Sequence, residues 1–355
     1  MNNSKPLDLY LVSSTLHFFW AWLLAYKHQS DRDAYIWLID QYTQKPMVFV
    51  PFLDQDTPFK SWKLFNGREL GGFAKLRQRK QRFKEAESWL RNNSIDRIFI
   101  GNDRSVFGQF IIKTAKEKAE YRDESVTACF LDDGVFTYLG RPASKAWLEK
   151  YLDALVKKMM FGFWYNSPDT VGASKWIDEV WVMYPHYVND SLKAKKIQPL
   201  DLTKSDLANM RTLAQQIVLN HDALLMDKLG EFDLLVALPN HRIFNKSPGY
   251  EVRIKDFIQA RIAQGESVAV KYHPAAGYKD LLSIETLGCT LMPSALSFEV
   301  ILTMLDKADF IGDLSTTTLL AHYFGQHSYF LPIVQSEQAN KMFTLCKRLG
   351  VNVKF

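Results

Sequence analysis

The chain has 355 residues, 47% of them apolar and 23% charged, with a net charge of +5. That length exceeds what one hydrophobic core usually supports and predicts two domains, and the ordinary composition excludes a disordered or fibrous chain. The three cysteines, Cys129, Cys289 and Cys346, have no metal-ligand or disulfide spacing and read as reduced core residues of a cytosolic protein.

Residues 9–12 (Leu-Tyr-Leu-Val) predict a first strand. The polar turn Ser13-Ser14-Thr15 then leads into a buried helix over 16–26, the β-turn-helix opening of a Rossmann-like domain. The apolar run 18–26 is far too short to span a membrane. Asp8 interrupts the apolar residues after Lys5, so the start does not read as a signal peptide. Strands are expected at 35–39, 47–50, 96–100 and 126–131. A helix from 75 to about 91 opens with six basic residues, Lys75, Arg77, Arg79, Lys80, Arg82 and Lys84. It is either a solvated face or a contact for a polyanion or lipid headgroups. The stretch 145–165 carries Trp147, Tyr151, Leu155 and Met159 at spacing four, flanked by lysines. It predicts an amphipathic helix that covers the core or docks on a membrane interface. A strand at 179–185 closes the first half.

A polar, lysine-bearing stretch around 189–203 is expected to link the domains. A long helix over 204–229 follows, and the β/α alternation restarts. Strands are expected at 232–238, 268–273, 290–293, 309–312 and 328–331, and helices at 249–264, 297–305 and 315–324.

Four segments at strand ends could carry chemistry. Asp132-Asp133-Gly134 puts two carboxylates before a glycine that permits a tight turn. Like charges side by side raise one pKa, which suits a general base, although an acidic turn is also common. Lys271-Tyr272-His273-Pro274 brings a cation and an imidazole to a strand end that Pro274 terminates, with Lys271 and His273 expected on the same side. Ser297-Phe298-Glu299 places a carboxylate in a helix's first turn, as a dipole partner or a ribose ligand. Ser315-Thr316 opens another helix, followed by Thr317 and Thr318, as an N-cap or an anion site. Asp54-Gln55-Asp56 has the outline of a metal-binding DxD but no supporting motif. No GxGxxG, Walker A loop, HExxH or CxxC pair is present, which argues against dinucleotide enzymes, P-loop NTPases and zinc sites.

Taken together and in order, Asp132-Asp133-Gly134, Lys271-Tyr272-His273-Pro274, Ser297-Phe298-Glu299 and Ser315-Thr316 resemble the motifs of the bacterial GT-B sialyltransferases and polysialyltransferases. The resemblance implies an α/β protein of GT-B type, two Rossmann-like β/α/β domains facing across a deep cleft. It implies Asp132 as general base and His273 as the general acid or phosphate ligand at the departing CMP. It further implies donor contacts by Lys271, Pro274, Glu299, Ser315 and Thr316, and an acceptor side at Asp133, Asn102 and Asp103.

The expected activity is an inverting, metal-independent transfer of a sialic-acid-type nonulosonate from its CMP donor to a capsule or lipopolysaccharide glycan. The acceptor could be lipid-linked. No cofactor, metal or nucleic acid is expected. The expected domains are 1–190, carrying the base and binding the acceptor, a linker at 191–203, and 204–355, binding the CMP-sugar. The expected location is the cytoplasm, with peripheral contact to the inner membrane. The alternatives are a GT-B enzyme using a UDP- or GDP-sugar, and a nucleotide-binding protein without catalysis.

Overall fold

The computed structural model describes residues 5–41, 47–66, 72–141, 155–240, 247–274, 280–305, 308–331 and 336–353. The chain divides into two compact units, Met1–Asp201 and Leu202–Phe355.

The first unit is built on seven strands: β1 (Leu7–Val12), β2 (Asp33–Gln41), β3 (Ser61–Asn66), β4 (Arg97–Ile100), β5 (Thr127–Leu131), β6 (Glu179–Val182) and β7 (Lys196–Pro199). Their order across the sheet is β3-β2-β1-β4-β5-β6-β7. Every pairing is parallel. A parallel sheet is covered on both faces, so its strands read as unbroken apolar runs rather than alternations. Leu9, Tyr10, Leu11 and Val12 are accordingly all buried. The helix Thr15–His28 behind β1 is buried from Leu16 through Ala25, as a helix apolar all round must be.

The second unit has six parallel strands: β8 (Leu234–Ala237), β9 (Val268–Lys271), β10 (Thr290–Leu291), β11 (Asp309–Gly312), β12 (Ser328–Phe330) and β13 (Asn352–Val353). Their order is β10-β9-β8-β11-β12-β13. That is the path traced by the first six strands of the other sheet. Both units are thus doubly wound Rossmann-like domains. The strand order reverses between β1 and β4 in one and between β8 and β11 in the other. Such a reversal opens a crevice at the carboxyl ends of the strands, where ligands bind in this architecture.

Several elements differ from the sequence expectation. Residues 47–50 form no strand, and Val50–Phe52 is a 3-10 turn. Pro51 has no N–H for a ladder, and Phe49 stacks on Phe18 with ring centroids 4.2 Å apart. The strand beside β2 is instead Ser61–Asn66. The expected linker, 191–203, contains β7, which pairs with β6 at the sheet edge. The long helix expected over 204–229 is two, Lys204–His221 and Ala223–Lys228. Asp222 breaks it by adopting an extended backbone and capping the N–H groups of Leu224 and Leu225. The sequence reading also omitted the helix Glu337–Leu349 and β13.

Much of the amphipathic stretch at 145–165 lies outside the described residues. Its described part is helical over 155–161. The basic helix spans Gly72–Asn92, and its Arg79 packs over the Phe161 ring at 4.9 Å. No helix among the described residues is long and apolar enough to cross a membrane.

Candidate functional site

In the first unit, the loops after β1, β4 and β5 leave the carboxyl edge of the sheet. Asp132 follows β5 directly and is 0% exposed. One carboxylate oxygen, Oδ1, accepts from the Gly134 N–H at 2.7 Å. The other, Oδ2, accepts from the Met183 N–H at 3.0 Å and from the Tyr138 hydroxyl. Gly134 sits at φ 80°, ψ −132°, a conformation that side chains disfavour, so the turn requires glycine. Burial pushes the Asp132 carboxyl up to about 6 against the pull of these donors, Tyr138 foremost. Residues 135–139 form the short helix Val135–Leu139, which delivers Tyr138 to Asp132.

Asp133 is different. Its side chain is 29% exposed, and Oδ1 receives a hydrogen bond from His17 Nε2 at 2.9 Å. Its backbone N–H donates to Thr137 Oγ1 at 3.1 Å. No partner of Oδ2 occurs among the described residues.

Asp103, expected on the acceptor side, is 1% exposed and instead holds a neighbouring turn by accepting from the Ser174 N–H at 2.8 Å. Burial first, and the charge of Asp133 in addition, push its pKa up to about 6. Asn102 is half-buried and accepts from the Arg104 N–H at 3.2 Å, closing the same loop.

A carboxyl whose folded pKa exceeds its unfolded value keeps its proton longer in the folded state. Its stabilising contribution is complete below about pH 4 and is lost as the pH rises through about 6. Asp103→Asn removes one such group. Relative to the variant, the wild-type chain is therefore expected to lose about 3 kcal/mol between pH 4 and pH 7.5. Urea midpoints of both proteins at the two pH values measure this. A constant difference would mean that Asp103 ionises there without cost.

In the second unit, β9 stops at Lys271, two residues earlier than expected. Lys271 is 0% exposed, whereas His273 and Pro274, beyond the strand, are exposed. Lys271 Nζ lies 5.0 Å over the Phe298 ring and donates to the Ser294 carbonyl at 3.4 Å. Burial lowers its pKa to about 8, partly offset by the nearby Glu299 carboxylate. Lys271 therefore ties the end of β9 to the start of the helix Phe298–Met304, whose first turn holds the buried Glu299. The Tyr272 hydroxyl donates to Asp280 Oδ1 at 2.6 Å and accepts from the Leu282 N–H at 2.9 Å.

After β11, Ser315 caps the helix Thr316–Tyr323 by accepting from the Thr317 N–H, and its hydroxyl lies 2.9 Å from Thr317 Oγ1. Ser315, Thr316 and Thr317 are half-buried, whereas Thr318 is buried and donates back to the Asp313 carbonyl at 3.0 Å. The hydroxyls available to a ligand are thus those of residues 315–317. Gly312 makes room for this turn, since a Cβ there would lie 2.6 Å from Thr318 Oγ1. His273, Glu299 and Ser315-Thr316 all follow strands at the carboxyl edge of one parallel sheet.

Among the described residues no group of three or more histidine, cysteine or acidic side chains could hold a metal. Asp54 accepts from Trp62 Nε1 at 2.7 Å. Sequence reasoning missed His17. Its only local signal is its place three residues after Ser14, the helix cap that follows β1.

No protein-family model matches the chain, and no curated protein is similar to it in sequence. Solved structures are. An α/β-galactoside α-2,3-sialyltransferase from the marine bacterium Photobacterium phosphoreum aligns at TM-score 0.59 and 14% identity, over 99% of this chain and 98% of that one. A UDP-GlcNAc 2-epimerase from Methanocaldococcus jannaschii aligns at TM-score 0.56 and 11% identity, over 99% and 89%. The UDP-GlcNAc 2-epimerase from Neisseria meningitidis, bound to UDP-GlcNAc, aligns at 0.52 and 10%, over 99% and 87%. At such identities the likeness establishes the fold: a GT-B chain of two Rossmann-like domains, shared with a bacterial sialyltransferase.

Proposed function

We propose that the chain is a metal-independent, inverting glycosyltransferase that moves a sialic-acid-type nonulosonate from its CMP donor to a glycan acceptor. The observation that carries this reading is the placing of the four motifs. The acidic pair directly follows β5 in one unit; in the other, the KxHP motif runs out of the end of β9, Ser315-Thr316 opens the helix after β11, and Ser297-Phe298-Glu299 opens the helix after β10.

Inversion at the anomeric carbon needs a base for the acceptor hydroxyl and stabilisation of charge on the departing phosphate. Asp132 is the base. The acceptor hydroxyl replaces the Tyr138 hydroxyl on Oδ2 and gives up its proton there as its oxygen bonds to the anomeric carbon. The bond from that carbon to the phosphate oxygen breaks, and CMP leaves with the electron pair. His273 and the hydroxyls of Ser315 and Thr316 receive the phosphate, and Glu299 takes the ribose. Since CMP is a good leaving group, a metal is not needed for its departure.

The likeness to UDP-GlcNAc 2-epimerases favours a second reading, an enzyme that takes a UDP-sugar. Calorimetry with CMP, UDP and GDP separates the two. CMP is expected to bind at least about tenfold more tightly, which is about 1.4 kcal/mol. Preference for UDP would overturn the donor assignment. A donor screen with CMP-sialic, CMP-pseudaminic and CMP-legionaminic acids, the products read by NMR, then identifies the sugar.

A further inference from the structure

We infer that His17 is a positioning residue for the acceptor: it holds the Asp133 carboxylate so that its second oxygen binds an acceptor hydroxyl beside the one that Asp132 deprotonates. This rests on the glycosyltransferase reading above and adds to it a residue, a partner and a requirement on the acceptor.

Four independent features fix the imidazole. Ser14 caps the helix Thr15–His28 and accepts from the His17 N–H at 3.3 Å, which sets the backbone. Gly101, the first residue after β4, clears space for the ring, since a Cβ there would lie only 2.0 Å from His17 Cδ2. Nδ1 lies 3.3 Å from Ser13 Oγ, and Nε2 lies 2.9 Å from Asp133 Oδ1. A carboxylate can only accept, so Nε2–H is the donor to Asp133, and a neutral ring takes its other hydrogen bond from the Ser13 hydroxyl. Ser13 and Gly101 follow β1 and β4, the strands between which the order of this sheet reverses. The imidazole is therefore built into the crevice where this architecture receives ligands.

A buried ring given this much support could be packing alone. What points to a ligand is the group it holds. Asp133 directly follows the buried Asp132, has a partly exposed side chain, spends one oxygen on His17 and leaves the other without a partner among the described residues. A carboxylate fixed at one oxygen presents the other with defined direction. A sugar hydroxyl is the donor such an oxygen selects, because its hydrogen bond to a charged acceptor is about twice as strong as a neutral one. The acceptor class is thus a glycan end with a hydroxyl adjacent to the nucleophile.

Kinetics of three variants test this, with a CMP-nonulosonate donor and an acceptor panel of lactose, N-acetyllactosamine and their monodeoxy forms. His17→Phe keeps a ring but removes the donor, and is expected to raise the acceptor KM about tenfold while the donor KM stays within about twofold. His17→Gln, whose amide N–H can stand where Nε2–H stood, is expected to recover most of that loss. Asp133→Asn lies at a partly exposed position, folds without the buried-site risk, and is expected to match His17→Phe. The adjacent deoxy acceptor is expected to lose affinity for the wild-type chain and to lose nothing further for Asp133→Asn. An unchanged acceptor KM in both His17→Phe and Asp133→Asn, with an active wild type, would overturn the inference. Equal rises in donor and acceptor KM would reduce His17 to packing. No turnover by the wild type on the whole panel would instead overturn the glycosyltransferase reading.

Discussion

Asp132→Asn is expected to lower kcat roughly a hundred- to ten-thousandfold, the range a lost general base costs. The substitution keeps shape but removes the proton acceptor. It also turns an amide N–H toward groups that themselves donate, the Met183 N–H or the Gly134 N–H. That adds about 1–3 kcal/mol of instability. Assays therefore belong well below the melting temperature, with circular dichroism as the control. The pH dependence carries the sharper test. Burial holds this carboxyl at about 6 in the free chain, so the base form, and with it kcat/KM, is expected to rise through that pH in the wild-type chain. The Tyr138 hydroxyl pulls the pKa down by donating to the ionised form. Tyr138→Phe removes that donor, so the acid limb is expected to move to higher pH. A limb that stays in place in Tyr138→Phe would detach Asp132 from the proton transfer.

His273→Asn is expected to cost roughly a hundredfold or more in kcat, because a positioned acid–base group typically contributes that much. Its position makes the experiment clean. His273 is exposed beyond the last residue of β9, so the change should fall within about 0.5 kcal/mol of wild-type stability. Lys271 two residues earlier gives the contrast, since it is wholly buried against Phe298 and any substitution there disturbs packing. CMP affinity in His273→Asn should change much less than kcat, as expected of a group that acts on the charge developing at the phosphate. Stopped single-turnover measurements separate the two. Transfer at the wild-type rate would remove His273 from the reaction.

The two doubly wound sheets were legible in the sequence because parallel strands buried on both faces leave continuous apolar runs. Residues 9–12, 128–131 and 234–237 are of that kind. The failures share a cause. Residues 47–50 have the composition of a strand, but Phe49 packs from a loop on Phe18 of the helix Thr15–His28, and Pro51 bars the ladder. Edge strands carry weaker patterns: β7 reads Lys-Ile-Gln-Pro, and only its pairing with β6 marks it. Strand ends were the other difficulty. Alternation put Lys271 and His273 together, yet it holds only while the strand lasts. The motifs that line the strand ends were readable as short words. The support behind them was not: His17 and Asp133 are 116 positions apart, and only the adjacent exits of β1, β4 and β5 make them neighbours.

The reversal of strand order between β1 and β4 also governs how the chain can be built during synthesis. Strand β1 leaves the ribosome before its two neighbours and pairs with β2 after a short crossover. Its other edge stays open until Arg97–Ile100 has emerged, because only β4 closes it. The second unit repeats the delay, with β8 waiting for β11. A growing chain of this order therefore carries an apolar central strand with one edge open through the making of two further strands and their helices. Non-local pairing of this kind folds slowly and exposes a template for aggregation. Production of the protein should thus depend on translation speed and on holdase chaperones more than its finished, closed sheets suggest.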